Sequence, residues 1–321
     1  MRPVPALIAA LIAAACTDAS VPTSSTVQRP GAASFSRNGG AASFTTIDVP
    51  GAAMMFPLDI NDHGVIVGRY ALAGHTHGFI RDESGTISQI DVPGSSFTVA
   101  GAINDSGVVA GWYILPAAPA VRHGFVLRGG VFTTIDPSGS TFTNLLGINE
   151  RGDISGRFCT RAVCHLGGGD FRGFIYHDGE FTYVDVPGGD DTSPFKIAAS
   201  GVFGGAFTKV GVSEQLFVYK RGDYATFALP NGKPVTEDNG GFNSRGDLVG
   251  TYCVSTTVPC LIAPTGVRGF LMSDGEMTPI DVPGAVATAA AGINARGDIV
   301  GCYFDETGAA HGFLRGASHG S

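Results

Sequence analysis

Short runs in which apolar and polar residues alternate cover most of this chain, and Gly, Pro, Asn or Asp break them every few positions. Alternation with a period of two between such breakers predicts β-strands rather than helices. The runs also return in a fixed order. GINARGDIVGCY, Gly292 to Tyr303, has close copies in DINDHGVIVGRY from Asp59, AINDSGVVAGWY from Ala102, GINERGDISGRF from Gly147 and GFNSRGDLVGTY from Gly241. A worn copy, KIAASGVFGGAF, begins at Lys196. Six copies of one unit make this a repeat protein.

Each unit holds four apolar segments. The first is FTTIDVP from Phe44, with counterparts at Ile87, Phe132, Phe181, Tyr224 and Met277, so the period is about 47 residues. The second runs into Ile60-Asn61, the third is Gly64 to Tyr70, and the fourth is GFI from Gly78, each with its equivalents. Asn61-Asp62-His63-Gly64 puts Asn first and Gly fourth in a turn. The Asn side chain caps that turn and Gly takes the positive φ that closes it, so segments two and three form a hairpin. Asp178-Gly179, Asp274-Gly275, Gly129-Gly130 and Arg221-Gly222 are two-residue hairpin signals between segments four and one.

Four antiparallel strands per unit, repeated six times, predict an all-β fold: a six-bladed β-propeller over residues 43–321. The first strand is a segment one (Phe44 to Pro50) and the last a segment four (Gly312 to Arg315). Pairing the N-terminal strand with the C-terminal one would complete a blade, close the ring and remove raw edges. A membrane barrel is the competing closed form, but its strands need about 9–11 residues and these are shorter. Gly68, Gly111, Gly156, Gly205, Gly250 and Gly301 recur inside strand three. Glycine within a strand marks close backbone approach, so strand three is expected to line the axis. The tight turns should share one face and the long variable loops the other, where function is expected.

With 48 Gly, 18 Pro, 15% charged and 44% hydrophobic residues, the chain is turn-rich but has enough apolar material for a core. Its formal charge of -8 argues against a nucleic-acid partner, because no basic run offers itself to phosphates. At the N-terminus, Arg2 precedes an apolar run from Val4 to Ala15 that suits a signal-peptide core and is too short to span a bilayer. It ends in Ala13-Ala14-Ala15-Cys16, similar to a bacterial lipoprotein signal in which the cysteine is lipidated. Ala13 stands where that pattern favours Leu, and Ala13-x-Ala15 also suits ordinary signal peptidase. Both readings export the protein, with residues 1–15 as signal peptide and the membrane reached only through a lipid anchor at Cys16. Residues 16–42, rich in Ser, Thr, Ala, Gly and Pro, read as a flexible tether with a span of about 28 Å. Thr17 is not the Asp that would imply inner-membrane retention, so the expected address is the outer membrane, periplasm or cell surface, or the medium.

The combination of FTTIDVPG, GINxxGxIVGxY and His-Gly-Phe at His77, His123 and His311 resembles the bacterial extracellular repeat family named HAF, over about residues 43 to 315. The resemblance implies an exported repeat protein and carries no activity or catalytic residues with it. Arg172, Gln215 and Arg268 replace the triplet's His in the other units.

Asp48, Asp91, Asp136, Asp185 and Asp281 recur at the end of strand one, with Ala228 in the remaining unit. Beside the triplet histidines they suggest acid–base dyads, but catalysis on a ring happens once and these recur, so a bond that braces each blade is the stronger reading. Cys159 with Cys164, and Cys253 with Cys260, are spaced for local disulfides in an oxidising compartment. A zinc site using His165 is the rival, though the spacings fit no common zinc pattern. Cys302 is left as a small strand residue, and Trp112 reads as core or rim packing before sugar stacking.

Departures from the repeat are the better guide to function. Asp190 and Asp191 lie in a long loop of the fourth unit, Glu237 and Asp238 in the matching loop of the fifth. These acids could hold Ca²⁺ or act on a glycan. No GxSxG, HExxH, P-loop or Rossmann signal is present. The first functional reading is a non-catalytic binding or scaffold module for extracellular protein or glycan. The second is a propeller hydrolase or lyase using those four acids.

Overall fold

A computed structural model describes residues 43–165, 169–209, 212–229, 233–234, 240–254 and 266–317. The signal segment, Cys16 and the tether lie outside the described residues, as do Glu237, Asp238 and Cys260. Every named element among the described residues is a strand. β1 (Phe44–Ile47) comes first. β2 (Met54–Ile60), β3 (Ile66–Leu72), β4 (His75–Arg81) and β5 (Ile87–Ile90) form one antiparallel set. The same order recurs in β6 (Phe97–Ile103), β7 (Val109–Ile114), β8 (His123–Arg128) and β9 (Val131–Thr134). It recurs again in β10 (Phe142–Ile148), β11 (Ile154–Cys159), β12 (Arg172–His177) and β13 (Glu180–Val184). A fourth set holds β14 (Asp191–Ile197), β15 (Phe203–Lys209), β16 (Val212–Lys220) and β17 (Asp223–Phe227). In the fifth, two short pieces, β18 (Lys233–Pro234) and β19 (Gly241–Phe242), precede β20 (Leu248–Cys253), β21 (Val267–Ser273) and β22 (Glu276–Ile280). The last holds β23 (Ala287–Ile293), β24 (Ile299–Phe304) and β25 (Ala310–Arg315), and its fourth member is β1, paired from Phe44↔Arg315 to Ile47↔Gly312.

The leading strands β2, β6, β10, β14, β19 and β23 each touch the next in that order, and β23 touches β2. They are almost wholly buried, whereas β5, β9 and β13 expose much of their length. The leading strand is therefore the inner one, and the expectation that strand three lines the axis is corrected. The strand-three glycines have a different cause. Each faces the phenylalanine of strand four across the sheet: Gly68↔Phe79, Gly111↔Phe125, Gly156↔Phe174, Gly205↔Phe217, Gly250↔Phe270 and Gly301↔Phe313. All six phenylalanines are 0% exposed. A Cβ at Gly68 would run into Phe56 O and lie 2.7 Å from Phe79 Cε1. The ring covers the bare glycine, so the close approach occurs inside the sheet rather than at the axis.

The turn asparagines do two jobs. Asn149 Oδ1 accepts from Arg151 N at 2.9 Å and Asp153 N at 3.0 Å, closing its own turn. Its Nδ2 donates across to Ala198 O of the next unit at 3.2 Å. The same outward bond runs from Asn61 to Asn104 O at 3.1 Å, Asn104 to Asn149 O at 3.0 Å, Asn243 to Asn294 O at 3.0 Å and Asn294 to Asn61 O at 3.1 Å. These asparagines are 2–4% exposed, so their amides have no water to turn to. The fourth unit has no such amide, because Ala198 stands there.

The turn at Ala198 nonetheless keeps the shape of the others, with Ala198 N donating to Val202 O at 2.8 Å and Gly201 N to Ala198 O at 2.9 Å. Ala198→Asn should therefore add the cap and a donor towards Asn243 O, each net hydrogen bond being worth about 1 kcal/mol. Thermal unfolding should show a midpoint raised by about 2–4 °C. An unchanged or lowered midpoint would mean that the fourth and fifth units do not meet as the other pairs do.

Candidate functional site

The strand-one aspartates meet the first side chain of strand four. His77 Nδ1 lies 2.9 Å from Asp91, His123 Nδ1 2.7 Å from Asp136 and His311 Nδ1 2.9 Å from Asp48. Where Arg replaces His the pair survives, as Arg172–Asp185 at 2.7 Å and Arg268–Asp281 at 2.5 Å. In the one unit with Ala228 in place of the aspartate, the partner is Gln215. Cation and anion are kept or lost together, and Arg does what His does. That is the behaviour of a brace, since an arginine could not serve as a general base near neutral pH. Three of the imidazoles also pack on the strand-three tyrosine, Tyr70, Tyr113 or Tyr303, with centroids 5.1–5.3 Å apart.

His311 differs from the rest, because its Nε2 also lies 3.4 Å from Asp305. Burial pulls its pKa down, but the hydrogen bonds and charges of Asp48 and Asp305 outweigh that and raise it. This imidazole fastens β25 to β1 from opposite ends of the folded chain.

Two positions before the first residue of each turn, the inner strands carry Asp59, Ala102, Gly147, Lys196, Gly241 and Gly292. The strands crowd here: a Cβ at Gly292 would come 2.7 Å from Asp59 Cα, and one at Gly147 2.5 Å from Lys196 Cα. Lys196 reaches from the fourth unit to the first two, donating to Asp59 Oδ1 at 3.3 Å, Ile60 O at 3.5 Å and Ile103 O at 3.3 Å. Asp59 Oδ2 accepts from Ile103 N at 2.9 Å. Burial, the largest influence, pushes the Asp59 carboxyl up, and Lys196 pulls it back part of the way. Sequence reading passed over both residues, although a lysine and an aspartate among Gly and Ala at one repeat position were the available signal.

Of the four acids singled out in the sequence, Asp190 and Asp191 lie among the described residues, and Glu237 and Asp238 lie outside them. Asp191 is buried, and its carboxylate accepts from Phe171 N at 2.7 Å, Gly169 N at 3.2 Å and Thr208 Oγ1 at 3.0 Å. Asp190, its neighbour, is exposed. Consecutive residues entering a strand point to opposite sides, which separates the two carboxylates. Among the described residues no three His, Cys, Asp or Glu side chains are grouped to hold a metal ion. Trp112 is 5% exposed, stacked on Phe97 at 5.0 Å with the Arg122 guanidinium 4.2 Å from its ring, so it is packing rather than platform.

Cys159 and Cys164 are joined by a disulfide. The two sulfurs are taken up by each other rather than left as thiolates for a zinc site, and His165 Nδ1 lies 3.1 Å from Asp170. Cys302, expected as an unpaired strand residue, is disulfide-bonded, as is Cys253, and both lie in one buried cluster with Phe56 and Val267.

No family model and no curated protein matches the chain. Solved structures do. A variant of AofleA from Arthrobotrys oligospora matches at TM-score 0.51 and 12% identity, over 89% of this chain and 93% of that one. An Aleuria aurantia lectin variant in complex with alpha-methyl-L-fucoside matches at TM-score 0.50 and 11% identity, over 86% and 95%. The β-propeller domain of the Trilobed protease from Pyrococcus furiosus matches at 0.47 and 10%, over 81% and 95%. The fold is a β-propeller. At these identities the likeness is one of architecture, and the chemistry of this propeller has to be read from its own side chains.

Two outcomes test the site's supports. Lys196→Met leaves Asp59 buried without its cation and should cost about 3 kcal/mol in denaturant unfolding, much of it returned by adding Asp59→Asn. For His311, a folded pKa raised above the ordinary 6.5 means that its stabilisation is complete below that value and fades as pH rises through the folded one. The gap in unfolding midpoint between the native chain and His311→Gln should therefore narrow on going from acid to alkaline pH. A gap that widened would reverse the assignment.

Proposed function

We propose that the six sets of strands are the blades of a closed six-bladed propeller, exported and held to the envelope by a lipid at Cys16. We propose that it serves as a non-catalytic binding or scaffold module for extracellular protein or glycan. The observation that carries this reading is how the repeated polar groups are used. The His–Asp and Arg–Asp pairs brace one blade after another, and Asp191, the buried acid of the hydrolase reading, is spent on two backbone N–H groups and a threonine. A carboxylate so occupied is poorly placed to attack or to shuttle protons. Alternating connections in such a propeller would put the long loops on the face opposite the asparagine turns, and that face is the natural place for a ligand. The lectin complex with alpha-methyl-L-fucoside shares the fold and is compatible with the glycan branch of the reading. Calcium held by the loop acids would be a structural addition to this role.

The test is a thermal-shift screen of the purified chain against neutral and acidic glycans, peptides and divalent metals, with a chelator control. A ligand at a hundred times its dissociation constant adds about 2.7 kcal/mol, a shift of several degrees. Binding without product formation is the expected result. Turnover of a bound glycan, abolished by Glu237→Gln or Asp238→Asn, would replace this reading with the hydrolase or lyase.

A further inference from the structure

The described part of the loop that follows β11 in the third unit carries a disulfide and a cluster of charged side chains. Its first turn is tied by the Cys159–Cys164 disulfide, with Cα atoms 6.2 Å apart. Its far end is fastened from below by Asp191 through Phe171 N and Gly169 N. Between these two anchors a single carboxylate, Asp170, holds two side chains. Asp170 Oδ1 lies 2.8 Å from Arg161 Nε, and Oδ2 accepts from His165 N at 2.8 Å and meets His165 Nδ1 at 3.1 Å. Asp170 exposes 2% of its side chain, while Arg161 exposes 68% and His165 71%. The backbone N–H of His165, above all, keeps Asp170 below the usual carboxylate range, so it stays ionised and keeps its grip.

The consequences follow from donor and acceptor counts. A guanidinium held by Nε still presents both Nη groups along its outer edge, which matches a carboxylate or sulfate in a two-point contact. An imidazole whose Nδ1–H is committed to a carboxylate carries its lone pair on Nε2, which can accept from a hydroxyl. Because the two oxygens of one carboxylate hold both heads, the donor edge and the acceptor stand side by side. Their geometry is fixed before any ligand arrives, which lowers the ordering cost of binding. An acidic group beside a hydroxyl is what this arrangement fits.

We propose that residues 160–165 form a subsite for an acidic sugar of an extracellular glycan, with Arg161 taking the carboxylate or sulfate and His165 Nε2 accepting from the adjacent hydroxyl. This rests on the binding-module reading above and names the class of ligand for it. The net charge of -8 gives the chain no general attraction for anions, so selectivity has to come from this local geometry.

The test is calorimetric titration of the whole exported chain with oligogalacturonate, with a sulfated galactan oligosaccharide, and with a neutral galactan oligosaccharide of equal length. The expected result is that at least one acidic ligand binds about tenfold or more tighter than the neutral one. Arg161→Gln should erase that preference, and Arg161→Lys should restore only part of it, because an ammonium lacks the two-point edge. His165→Gln should weaken both kinds of glycan binding less than Arg161→Gln weakens the acidic kind. Arg161 pairs with the buried carboxylate of Asp170, so each variant's unfolding midpoint is measured beside its titration, and Arg161→Lys, which keeps the cation, serves as the folded comparison. Preference retained in Arg161→Gln overturns the proposal. So does hexaglutamate binding as tightly as oligogalacturonate through the same arginine, which would mark a site for acidic peptide. Neutral glycans bound with no acidic preference would sink the subsite and leave the binding module standing. No glycan bound at all would sink both the subsite and the glycan branch of that reading.

Discussion

A four-stranded sheet has two faces to bury and cannot do so alone, so everything here depends on how one sheet is fastened to the next. The turn asparagine supplies that fastening and shapes the turn at the same time. Its carbonyl oxygen caps two N–H groups of its own turn, and its amide nitrogen reaches the equivalent carbonyl in the following unit. Both halves of the amide are used in a site without water, which makes either half costly to leave unpaired. Hydrophobic burial brings the sheets together, as in the cluster of Leu145, Ile148 and Phe158 with Ala102 and Ala110 of the preceding unit. Apolar contact has no direction of its own, so where the asparagine bonds occur they are what set the angle and spacing of the junction.

With the junctions fixed, the inner end is crowded, and the crowding decides which residues can stand there. Glycine or alanine occupies four of the six positions two residues before the turn, and the other two are a lysine and an aspartate that satisfy each other. One large side chain from one side, with an acceptor facing it, is about what the space permits. The ammonium also takes the backbone carbonyls of Ile60 and Ile103 at the ends of two inner strands. Farther out, each strand-three glycine accommodates a phenylalanine ring laid across it, and that ring is the centre of each blade's packing.

How much of this was legible in the sequence follows the same physics. Strand number, strand order, the two tight turns and the pairing of the ends are local or periodic properties, and alternation with Asn-x-x-Gly punctuation declares them. The double-positive turns at Asp178-Gly179 and Asp274-Gly275 have φ of 46° with 91° and 50° with 79°, as two-residue hairpins require. The place of strand three was misread because a strand-interior glycine says only that something comes close. Whether the visitor is a neighbouring blade or a ring from the same sheet is a tertiary fact. The cross-ring contact of Lys196 with Asp59 joins residues 137 apart, and no local pattern encodes it. The Arg161–Asp170–His165 group was hidden for a different reason: its residues follow no repeat, so nothing in the periodicity drew attention to them.

The fourth unit shows what the repeat can give up. It lacks the turn asparagine (Ala198), the cation of the strand-four pair (Gln215) and the aspartate that would meet it (Ala228). Losing two recurrent links in one place, the asparagine bond and the strand-four pair, should leave a loose blade. It is instead the unit that supplies Lys196, bound to the first and second units, and Asp191, bound to the loop of the third. Its ties have moved from the rim and the turns to the centre and to the long-loop face. A blade released from the repeated bonds is free to carry residues the other blades do not, and one of them, Asp191, holds the end of the loop that presents Arg161 and His165. The links lost from the fourth copy and the bonds Asp191 makes to Gly169 and Phe171 therefore belong to one unit.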